Sequence, residues 1–378
     1  MATRAKVLII GGGVAAVEAA VALRELAGDR VQVEMCAPRE DFVYRPFAVG
    51  EPYGHSRPLR YGIQRIADSC GASFRLGSIV SIDAEERVAV THDGDRLPYD
   101  YLIVACGARM LWAVPGTIPF WGVVEEGGLQ GIVREMRDGG LRRVIFTTPG
   151  ISSWGLPVYE LALLAETELA RAGVGGTRLT VVTPEEAPLE LFGRRASVEA
   201  GELLAERGIE VIAGAHPVKF EDGRLTIAPG GDIVADAVIS LPRLEGRRID
   251  GVPHDEEGFV PVDEHGWVVG VDHVLAAGDI TTFPVKQGGI AAQQADAAAE
   301  ALAAAVGCDL EPECFDPVLR GVLWTDGEPR YLYGELSGGH GETSLLSDEA
   351  PWATEQGDKI IGRYLNPFLA QLGDVPHR

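Results

Sequence analysis

Short apolar runs alternate with longer segments of helical periodicity along most of this 378-residue chain. The apolar run at 6–10 is typical of a strand buried on both faces. Glycines follow it, and residues 13–27 then carry apolar side chains at helical spacing. The run at 31–35 predicts a second strand, so this stretch forms a strand–helix–strand unit of about 30 residues. A further buried strand is predicted at 101–105.

The same pattern restarts near residue 140. We expect strands at 143–148, 179–183 and 209–212 and helices at 157–172 and 197–207. The pattern of the first unit resumes over 258–306. We therefore predict an α/β protein with two Rossmann-like, three-layer domains, the second nested in the first, and a short C-terminal α+β segment. The expected boundaries are 1–140 with 241–315, then 141–240, then 316–378.

The C-terminal segment has a mixed pattern. Strands are predicted at 319–324 and 330–336, a glycine-rich loop at 338–341 and a helix at 358–372. The apolar residues of that helix recur at helical spacing, which favours packing against the core or a partner chain. A helix lying on a membrane surface is the alternative interpretation.

Composition narrows the classes of partner. The formal net charge of -23 disfavours binding to nucleic acid and to anionic lipid. No apolar run approaches the length of a bilayer span, and the polar N-terminus does not look like a signal peptide. The five scattered cysteines suit reduced thiols, so a cytoplasmic protein without a membrane contact is expected. The histidines show no metal-ligand spacing, and Cys308 and Cys314 are interpreted as plain thiols, so no metal site is predicted.

Two glycine-containing segments carry the candidate chemistry. In the first, Gly11 permits a tight bend and Gly13 lets the backbone approach a phosphate at a helix N-terminus, while Ala16 sets helix-to-strand packing. In the second, Val274-Leu-Ala-Ala-Gly-Asp-Ile places Asp279 at a strand end shortly before another helix start. A ligand that needs both segments is an extended dinucleotide, which we interpret as FAD.

The adenosine ribose of such a ligand is usually held by an acid about 20 residues beyond the third glycine position. Cys36 stands at that distance from Ala16. Glu34, two residues earlier on the same strand face, is the candidate replacement. Arg39, the backbone or water is the alternative.

These segments resemble the FAD-dependent pyridine nucleotide-disulfide oxidoreductase superfamily, nearest to its branch of sulfide:quinone oxidoreductases and type II NADH dehydrogenases. The resemblance runs over nearly the whole chain and is carried by the Gly11–Ala16 turn, by residues 38–47, 101–108 and 156–162, and by Ala276-Ala-Gly-Asp-Ile-Thr-Thr-Phe-Pro-Val-Lys-Gln-Gly-Gly. It implies a first domain that binds FAD, a second that is similar to NAD(P)-binding domains, and often a homodimer.

The resemblance also implies roles for individual residues. Gly278 and Asp279 would hold the ribityl or pyrophosphate end of FAD, and Lys286 and Gln287 would start a helix near the pyrimidine side of the flavin. The remaining implied contacts are Arg45 and Pro46 along the isoalloxazine, the backbone amide of Val80 on adenine, and Cys106 and Gly107 at a strand end. Cys106 replaces the usual threonine there and is interpreted as a packing substitution.

Departures from the family pattern concern the donor. The loop Thr148-Pro-Gly-Ile-Ser-Ser-Trp-Gly contains no cysteine, which disfavours sulfide:quinone chemistry through a persulfide. It also lacks the glycine spacing of a nicotinamide dinucleotide site. Glu185 offers an acid for a ribose, so NAD(P)H is a possible but doubtful donor. Trp154 is expected either to wall off the flavin or to pack in the core.

Glu160 is the candidate acid/base, because it matches the position of an acid that faces the flavin in the dehydrogenases this chain resembles. Dipole complementation near a helix N-terminus is the alternative explanation. The predicted function is an FAD-dependent oxidoreductase that passes electrons from a small reductant, possibly NAD(P)H, to a quinone-like or other acceptor. The alternatives are a non-catalytic binding module of the same fold and, less favoured, a sulfide:quinone oxidoreductase-like enzyme.

Overall fold

The computed structural model describes residues 4–122, 128–150, 154–325, 327, 329–337, 340–347 and 358–373. Its helices are α1 (Val14–Leu26), α2 (Ile63–Cys70), α3 (Leu129–Arg137), α4 (Leu156–Arg171), α5 (Arg194–Glu206), α6 (Gly288–Ala305) and α7 (Leu365–Leu372). Short 3-10 helices span Gly28–Arg30, Arg45–Tyr53 and Glu190–Phe192.

The strands, in chain order, are β1 (Ala5–Ile10), β2 (Val31–Ala37), β3 (Asp41–Tyr44), β4 (Leu59–Gly62), β5 (Ser73–Leu76), β6 (Ile79–Asp83), β7 (Val88–Thr91), β8 (Arg96–Pro98), β9 (Tyr101–Val104), β10 (Arg109–Leu111), β11 (Ile118–Pro119), β12 (Arg143–Thr147), β13 (Arg178–Val182), β14 (Ile209–Ile212), β15 (His216–Glu221), β16 (Arg224–Ala228), β17 (Gly231–Val234), β18 (Ala237–Ser240), β19 (Arg243–Glu245), β20 (Val274–Ala276), β21 (Val318–Leu323), β22 (Arg330–Ser337) and β23 (His340–Ser347).

Two five-stranded parallel sheets organise the molecule. The first has the order β20-β9-β1-β2-β5 and the second the order β11-β18-β12-β13-β14. The central strands are β1 in the first sheet and β12 in the second. After each of them, the chain adds strands on one side of the sheet and later on the other side. The strand order reverses beside β1 and beside β12, and ligands bind at such points in open α/β sheets. The predicted α/β class with two Rossmann-like units is confirmed.

The second sheet begins earlier in the chain than the expected boundary at 141. β11 pairs with β18, and the apolar face of α3 packs into the core cluster that contains α4 and β12. The sequence pattern missed this because β11 has two residues, too few to show a period. The first sheet gains its last strand, β20, from residues 274–276, so the second unit is inserted within the first.

Small side chains bring the helices of the first unit together. The Ala-rich helices α1 and α6 pack against each other and against β1 and β2, in a core that holds Ala16, Ala19, Ala295 and Ala298. Alanine allows two helix backbones to approach closely. This close approach places the N-terminal ends of both helices at one edge of the sheet.

The C-terminal segment differs from its prediction in two ways. A third antiparallel strand, β23, follows β22, and it contains His340 and Gly341 of the predicted loop; residues 338–339 lie outside the described part. The helix expected over 358–372 is wrong in length, because it begins at Leu365. Residues 358–361 instead enter the core, where Ile360 is 3% exposed and its N–H donates to the Tyr44 hydroxyl at 2.8 Å.

Helix α7 packs onto the first unit. Leu365 is fully buried, and Phe368, Leu369 and Leu372 contact the core built around α1. This arrangement confirms core packing as a role of the helix. Over the described residues, no helix has the length and apolar character that a bilayer crossing requires.

Candidate functional site

A cleft of about 460 Å³ lies where the two units and the C-terminal segment meet. The first unit contributes its glycine turn, the chain after β9, the chain after β20 and the start of α6. The second unit contributes the start of α4, and the C-terminal segment contributes residues 359–360. The volume is within the range typical of small-molecule and cofactor sites.

The first glycine turn is built to bring backbone close to a ligand. Gly11 has φ +136°, and a Cβ there would lie 2.1 Å from the Ala105 carbonyl oxygen, so the turn requires glycine. Gly13 lines the cleft, and a Cβ on it would meet no atom within 4 Å. No side chain caps the N-terminus of α1, and its first turn has no acidic residue. Uncapped N–H groups beside an open cleft suit a phosphate. Ala16 is fully buried behind the turn and packs the helix onto the sheet.

Gly278 and Asp279 follow β20 and line the same cleft. A Cβ on Gly278 would lie 3.0 Å from the Ala15 Cβ, so this glycine lets the two segments converge. Its N–H donates to Gln294 Oε1 at 2.8 Å. Asp279 lines the cleft, and its removal from bulk water raises the pKa of its carboxyl, while the charges of Lys286 and Arg45 lower it.

The polar side chains at the start of α6 form hydrogen bonds with other groups of the protein. Gln287 is the N-cap, since its Oε1 accepts the Ile290 N–H at 2.9 Å. Its Nε2 donates to the Arg320 carbonyl at 3.1 Å, which ties α6 to β21. Lys286 is 6% exposed, donates to the Thr281 carbonyl and lies 3.9 Å from the centre of the Phe259 ring. Burial lowers the pKa of Lys286 to about 8, against the opposing effect of Asp279.

Sequence reasoning missed the partner of Glu160. Glu160 and Lys359 are 2% and 7% exposed, line the cleft and form an ion pair of 2.5 Å. Glu160 Oε1 also accepts the Trp324 N–H at 2.9 Å, and Lys359 Nζ lies 4.3 Å from the Trp324 ring centre. Burial raises the pKa of Glu160, although Lys359 lowers it, and burial lowers the pKa of Lys359, although Glu160 raises it. The partners are 199 positions apart in the chain, so no local sequence signal predicts their contact.

The predicted ribose anchor is not at the cleft. Glu34 points to the neighbouring strand, where Arg75 Nε donates to its carboxylate at 2.9 Å, and it does not line the cleft. Arg39, the alternative, does line it. Val80 lies at a bulge between β6 and β7, is 43% exposed and is also outside the cleft lining.

The cleft is also lined by four residues that the resemblance implied as flavin contacts, namely Arg45, Pro46, Cys106 and Gly107. Burial raises the pKa of the Cys106 thiol to about 11, so this sulfur is protonated near neutral pH. Among the described residues, no other cysteine lines the cleft. A protonated thiol is a poor nucleophile, which agrees with a packing role for Cys106.

Side chains around the second glycine loop contact one another. Residues 151–153 lie outside the described part, but Trp154 packs edge-on against Phe192 at 5.6 Å and also lines the cleft. Glu185 is 9% exposed, and its Oε2 accepts the Tyr159 hydroxyl at 2.5 Å and the Thr183 hydroxyl at 3.1 Å. These contacts satisfy the acid that was expected to hold a ribose.

The residues present fit an extended flavin dinucleotide. The uncapped N-terminus of α1 faces one part of the cleft, Asp279 another, and Lys286 and the start of α6 a third. At Gly13 the bare backbone has open space beside it, whereas a Cβ on Gly12 would lie 2.4 Å from the Ile63 side chain. Phosphate, ribityl hydroxyls and an electron-accepting ring would each find a chemically suitable contact.

Comparison with known proteins agrees with this geometry. A sulfide-quinone reductase of Aquifex aeolicus is 27% identical over 231 residues, which cover 58% of this chain and 53% of that protein. A rhodocoxin reductase of Rhodococcus erythropolis is 28% identical over 302 residues, 74% of this chain and 65% of that protein. The chain thus spans less than two thirds of the length of either relative.

A solved structure extends the likeness of the fold. The crystal structure of the sulfide:quinone oxidoreductase from Aquifex aeolicus superimposes with a TM-score of 0.80 at 20% identity, covering 91% of this chain and 86% of that one. The family model for pyridine nucleotide-disulphide oxidoreductases matches residues 4–139 and 160–301. The chain therefore belongs to the pyridine nucleotide-disulphide oxidoreductase family.

Proposed function

We propose that this protein is an FAD-dependent oxidoreductase that reduces a quinone-like acceptor in the cleft. Glu160 and Lys359 would deliver the proton that the acceptor takes up as it is reduced. The observation that carries the proposal is this buried ion pair, which faces the same cleft as the uncapped N-terminus of α1. A buried pair at a cleft with perturbed pKa values is a functional candidate on physical grounds.

The chain's own residues would hold the cofactor. The α1 N-terminus and Gly13 would bind the pyrophosphate, Asp279 the ribityl hydroxyls, and Arg45 and Pro46 the edge of the ring. FAD, when bound, would supply two-electron chemistry. Lys286, with a pKa of about 8, would place a positive charge near the negative charge that accumulates on reduction.

Glu160 and Lys359 would hold one mobile proton between them. Their nearest atoms are 2.5 Å apart, and burial disfavours the charged form of each group, which favours passage of a proton between them. An acceptor oxygen beside this pair would take the proton as it gains electrons. Loss of that proton would leave a carboxylate beside a neutral amine, and a proton taken up from solvent would restore the ion pair and end the cost of an isolated buried charge.

The donor would be a small reductant, and NAD(P)H is the weaker candidate. The carboxyl group of Glu185 lies 3.4 Å from where a Gly155 Cβ would be, at the N-terminus of α4. A dinucleotide phosphate would need that place. The raised pKa of the Cys106 thiol also weakens a persulfide route from sulfide.

An absorption spectrum of the purified protein is the first test. We expect flavin bands, or their appearance after FAD is added and excess is removed. Anaerobic addition of NADH, NADPH and sulfide in turn then identifies the donor by loss of the oxidised bands. A colourless protein that takes up no FAD would overturn the proposal and leave a binding module of the same fold.

Glu160→Gln tests the proton role separately. Turnover with a soluble quinone should fall about 100-fold or more, since general acid catalysis typically contributes 10²–10⁴-fold. Flavin content and chemical reduction by dithionite should not change. Glu166→Gln is the matched control, because Glu166 lies on the same helix and pairs with Arg207 at 2.8 Å. Equal turnover in the two variants would remove Glu160 from the mechanism.

A further inference from the structure

A cluster of three different metal-ligating side chains lies outside the cleft. Glu264, His265 and Cys314 each offer one ligand atom, and these atoms lie within 4.8 Å of one another. Cys314 Sγ is 3.8 Å from His265 Nε2. A thiolate and an imidazole bound to one tetrahedral zinc ion stand at about this separation, given Zn–S and Zn–N distances of about 2.3 and 2.0 Å.

The backbone holds the two segments together without using the ligand side chains. Asp263 Oδ1 accepts the N–H groups of His265 at 3.0 Å and Trp267 at 2.9 Å, which fixes the turn that carries Glu264 and His265. The Phe315 N–H donates to the Glu264 carbonyl at 2.7 Å. Cys314 is therefore set beside that turn by its neighbour in the chain, so the cluster is preorganised.

The imidazole of His265 lacks strong partners. Its Nδ1 is buried and, over the described residues, has no hydrogen-bond partner. Its Nε2 meets the Cys314 sulfur at 3.8 Å, a weak interaction. A cation between the sulfur and Nε2 would replace that weak interaction with a strong one.

The charge around the cluster favours a cation. Neither 262–272 nor 308–317 contains lysine or arginine. The acidic residues of these two segments are Asp263, Glu264, Asp272, Asp309, Glu311, Glu313 and Asp316. Together with the net charge of -23, they raise the local concentration of cations.

We propose that Glu264, His265 and Cys314 bind a Zn²⁺ ion. Sulfur, imidazole nitrogen and carboxylate oxygen are the ligands that zinc takes, and water would complete a tetrahedron on the exposed side. On binding, the Cys314 thiol loses its proton to solvent as the Zn–S bond forms, Glu264 binds as a carboxylate and His265 as neutral imidazole. This proposal departs from the plain-thiol interpretation of Cys314.

The ion would fasten the start of the C-terminal segment to the first unit. The Gly266 carbonyl accepts the Ala276 N–H at 2.8 Å, so the turn adjoins β20, the strand that leads into Asp279. On the other side, the ring of Phe315 packs edge-on against Phe283 at 5.1 Å, just before β21. A zinc ion would thus join the two segments by coordinate bonds and stabilise the folded state.

The test compares zinc binding by the full-length protein, as purified with any flavin, and three variants. After chelator treatment, each is dialysed against Zn²⁺, and bound metal is measured by plasma mass spectrometry. We expect about one ion per wild-type chain. Cys314→Ser and His265→Gln should weaken affinity more than about 100-fold, since even loss of an outer-sphere partner costs about 10–100-fold. Cys308→Ser is the matched thiol control and should bind as the wild type does.

Co²⁺ gives an independent readout of geometry. We expect intense visible d–d bands of a tetrahedral thiolate site, at wavelengths beyond flavin absorption, in the wild type and in Cys308→Ser but not in Cys314→Ser. Circular dichroism shows that each variant is folded. Wild-type protein that retains no Zn²⁺ after dialysis, or Cys314→Ser that retains as much as wild type, would overturn the proposal whatever the fate of the cleft chemistry.

Discussion

The two glycine-containing loops have equivalent places in the two parallel sheets and opposite surroundings. Gly11–Gly13 follows the central strand β1, and Thr148–Gly155 follows the central strand β12. At the first, α1 begins with bare backbone facing the cleft. At the second, α4 begins beside the carboxyl group of Glu185, which the Tyr159 hydroxyl also binds. The N-terminus of α1 has no side-chain cap, whereas the N-terminus of α4 lies beside the Glu185 carboxyl group.

This difference shows that topology does not determine ligand binding. Both loops belong to a fold that places helix N-termini at the point where strand order reverses. A phosphate site also needs space and unsatisfied donors. The second unit instead turns its helix α4 toward the cleft of the first and contributes Glu160 there.

The largest expected effect comes from exchanging equivalent glycines for alanine. Gly11→Ala would place a Cβ 2.1 Å from the Ala105 carbonyl oxygen at φ +136°, so we expect a loss of about 3 kcal/mol or more and little bound flavin. Gly150→Ala, in the second loop, meets no atom within 4 Å and should leave both unchanged. Urea unfolding and the flavin-to-protein absorbance ratio measure this contrast. Similar losses in the two variants would remove the asymmetry between the loops.

The contact between the units is tested by Lys359→Met. Loss of the ammonium leaves Glu160 buried without its counter-charge, so we expect a loss of about 3–5 kcal/mol, less whatever is recovered when Glu160 takes up a proton. Lys219→Met removes an exposed pair with Glu221 and should leave stability nearly unchanged. Thermal unfolding followed by tryptophan fluorescence separates the two cases. An effect of Lys359→Met no larger than that of Lys219→Met would contradict the buried pair.

Glu185→Ala tests whether Glu185 serves the protein's own hydrogen bonds at the second loop or binds the electron donor. The hydroxyls of Tyr159 and Thr183 would lose their partner, and we expect a loss of about 1–3 kcal/mol in urea unfolding. Flavin content and the rate of reduction by NADH should stay at wild-type values. A rise in KM for NADH of about tenfold or more, which corresponds to about 1.4 kcal/mol, would instead assign Glu185 to donor binding.

The smallest expected effect is a dependence of stability on pH. It arises where the first unit contacts the start of α7. Glu18 of α1 accepts the N–H groups of Tyr364 and Leu365 at the start of α7, and Asp296 of α6 bonds to Glu18. Burial, followed by the Glu18 charge, raises the pKa of Asp296 from 3.8 to about 9. Between these two pKa values, the folded state keeps a proton that the unfolded chain releases. The free energy of unfolding therefore falls as pH rises through that range.

Asp296→Asn carries no such proton, so its urea midpoint should vary less between about pH 5 and about pH 8 than that of the wild type. Asp309→Asn, at a solvent-exposed site after α6, is the control and should follow the wild-type slope. Equal slopes in the wild type and in Asp296→Asn would show that Asp296 ionises normally in the folded protein.

The sequence by itself determined the α/β class, the nested second unit and the first glycine turn. The strands and helices were predictable because buried parallel strands read as continuous apolar runs and because φ +136° at Gly11 can be met only by glycine without strain. Lys286 and Gln287 were placed at a helix start by the resemblance to the family, and Gln287 is the N-cap of α6. Such features depend on neighbours within a few residues.

Tertiary structure alone decided which side chains meet. Glu160 and Lys359 are 199 positions apart, Glu34 turned to Arg75 on the next strand, and helix α7 shortened because Glu18 of α1 caps it at Leu365. The assembly of Glu264 and His265 with Cys314 is of the same kind. A polar residue takes its role from the groups that surround it once water is excluded, and those groups come from distant parts of the chain, where no local periodicity records them.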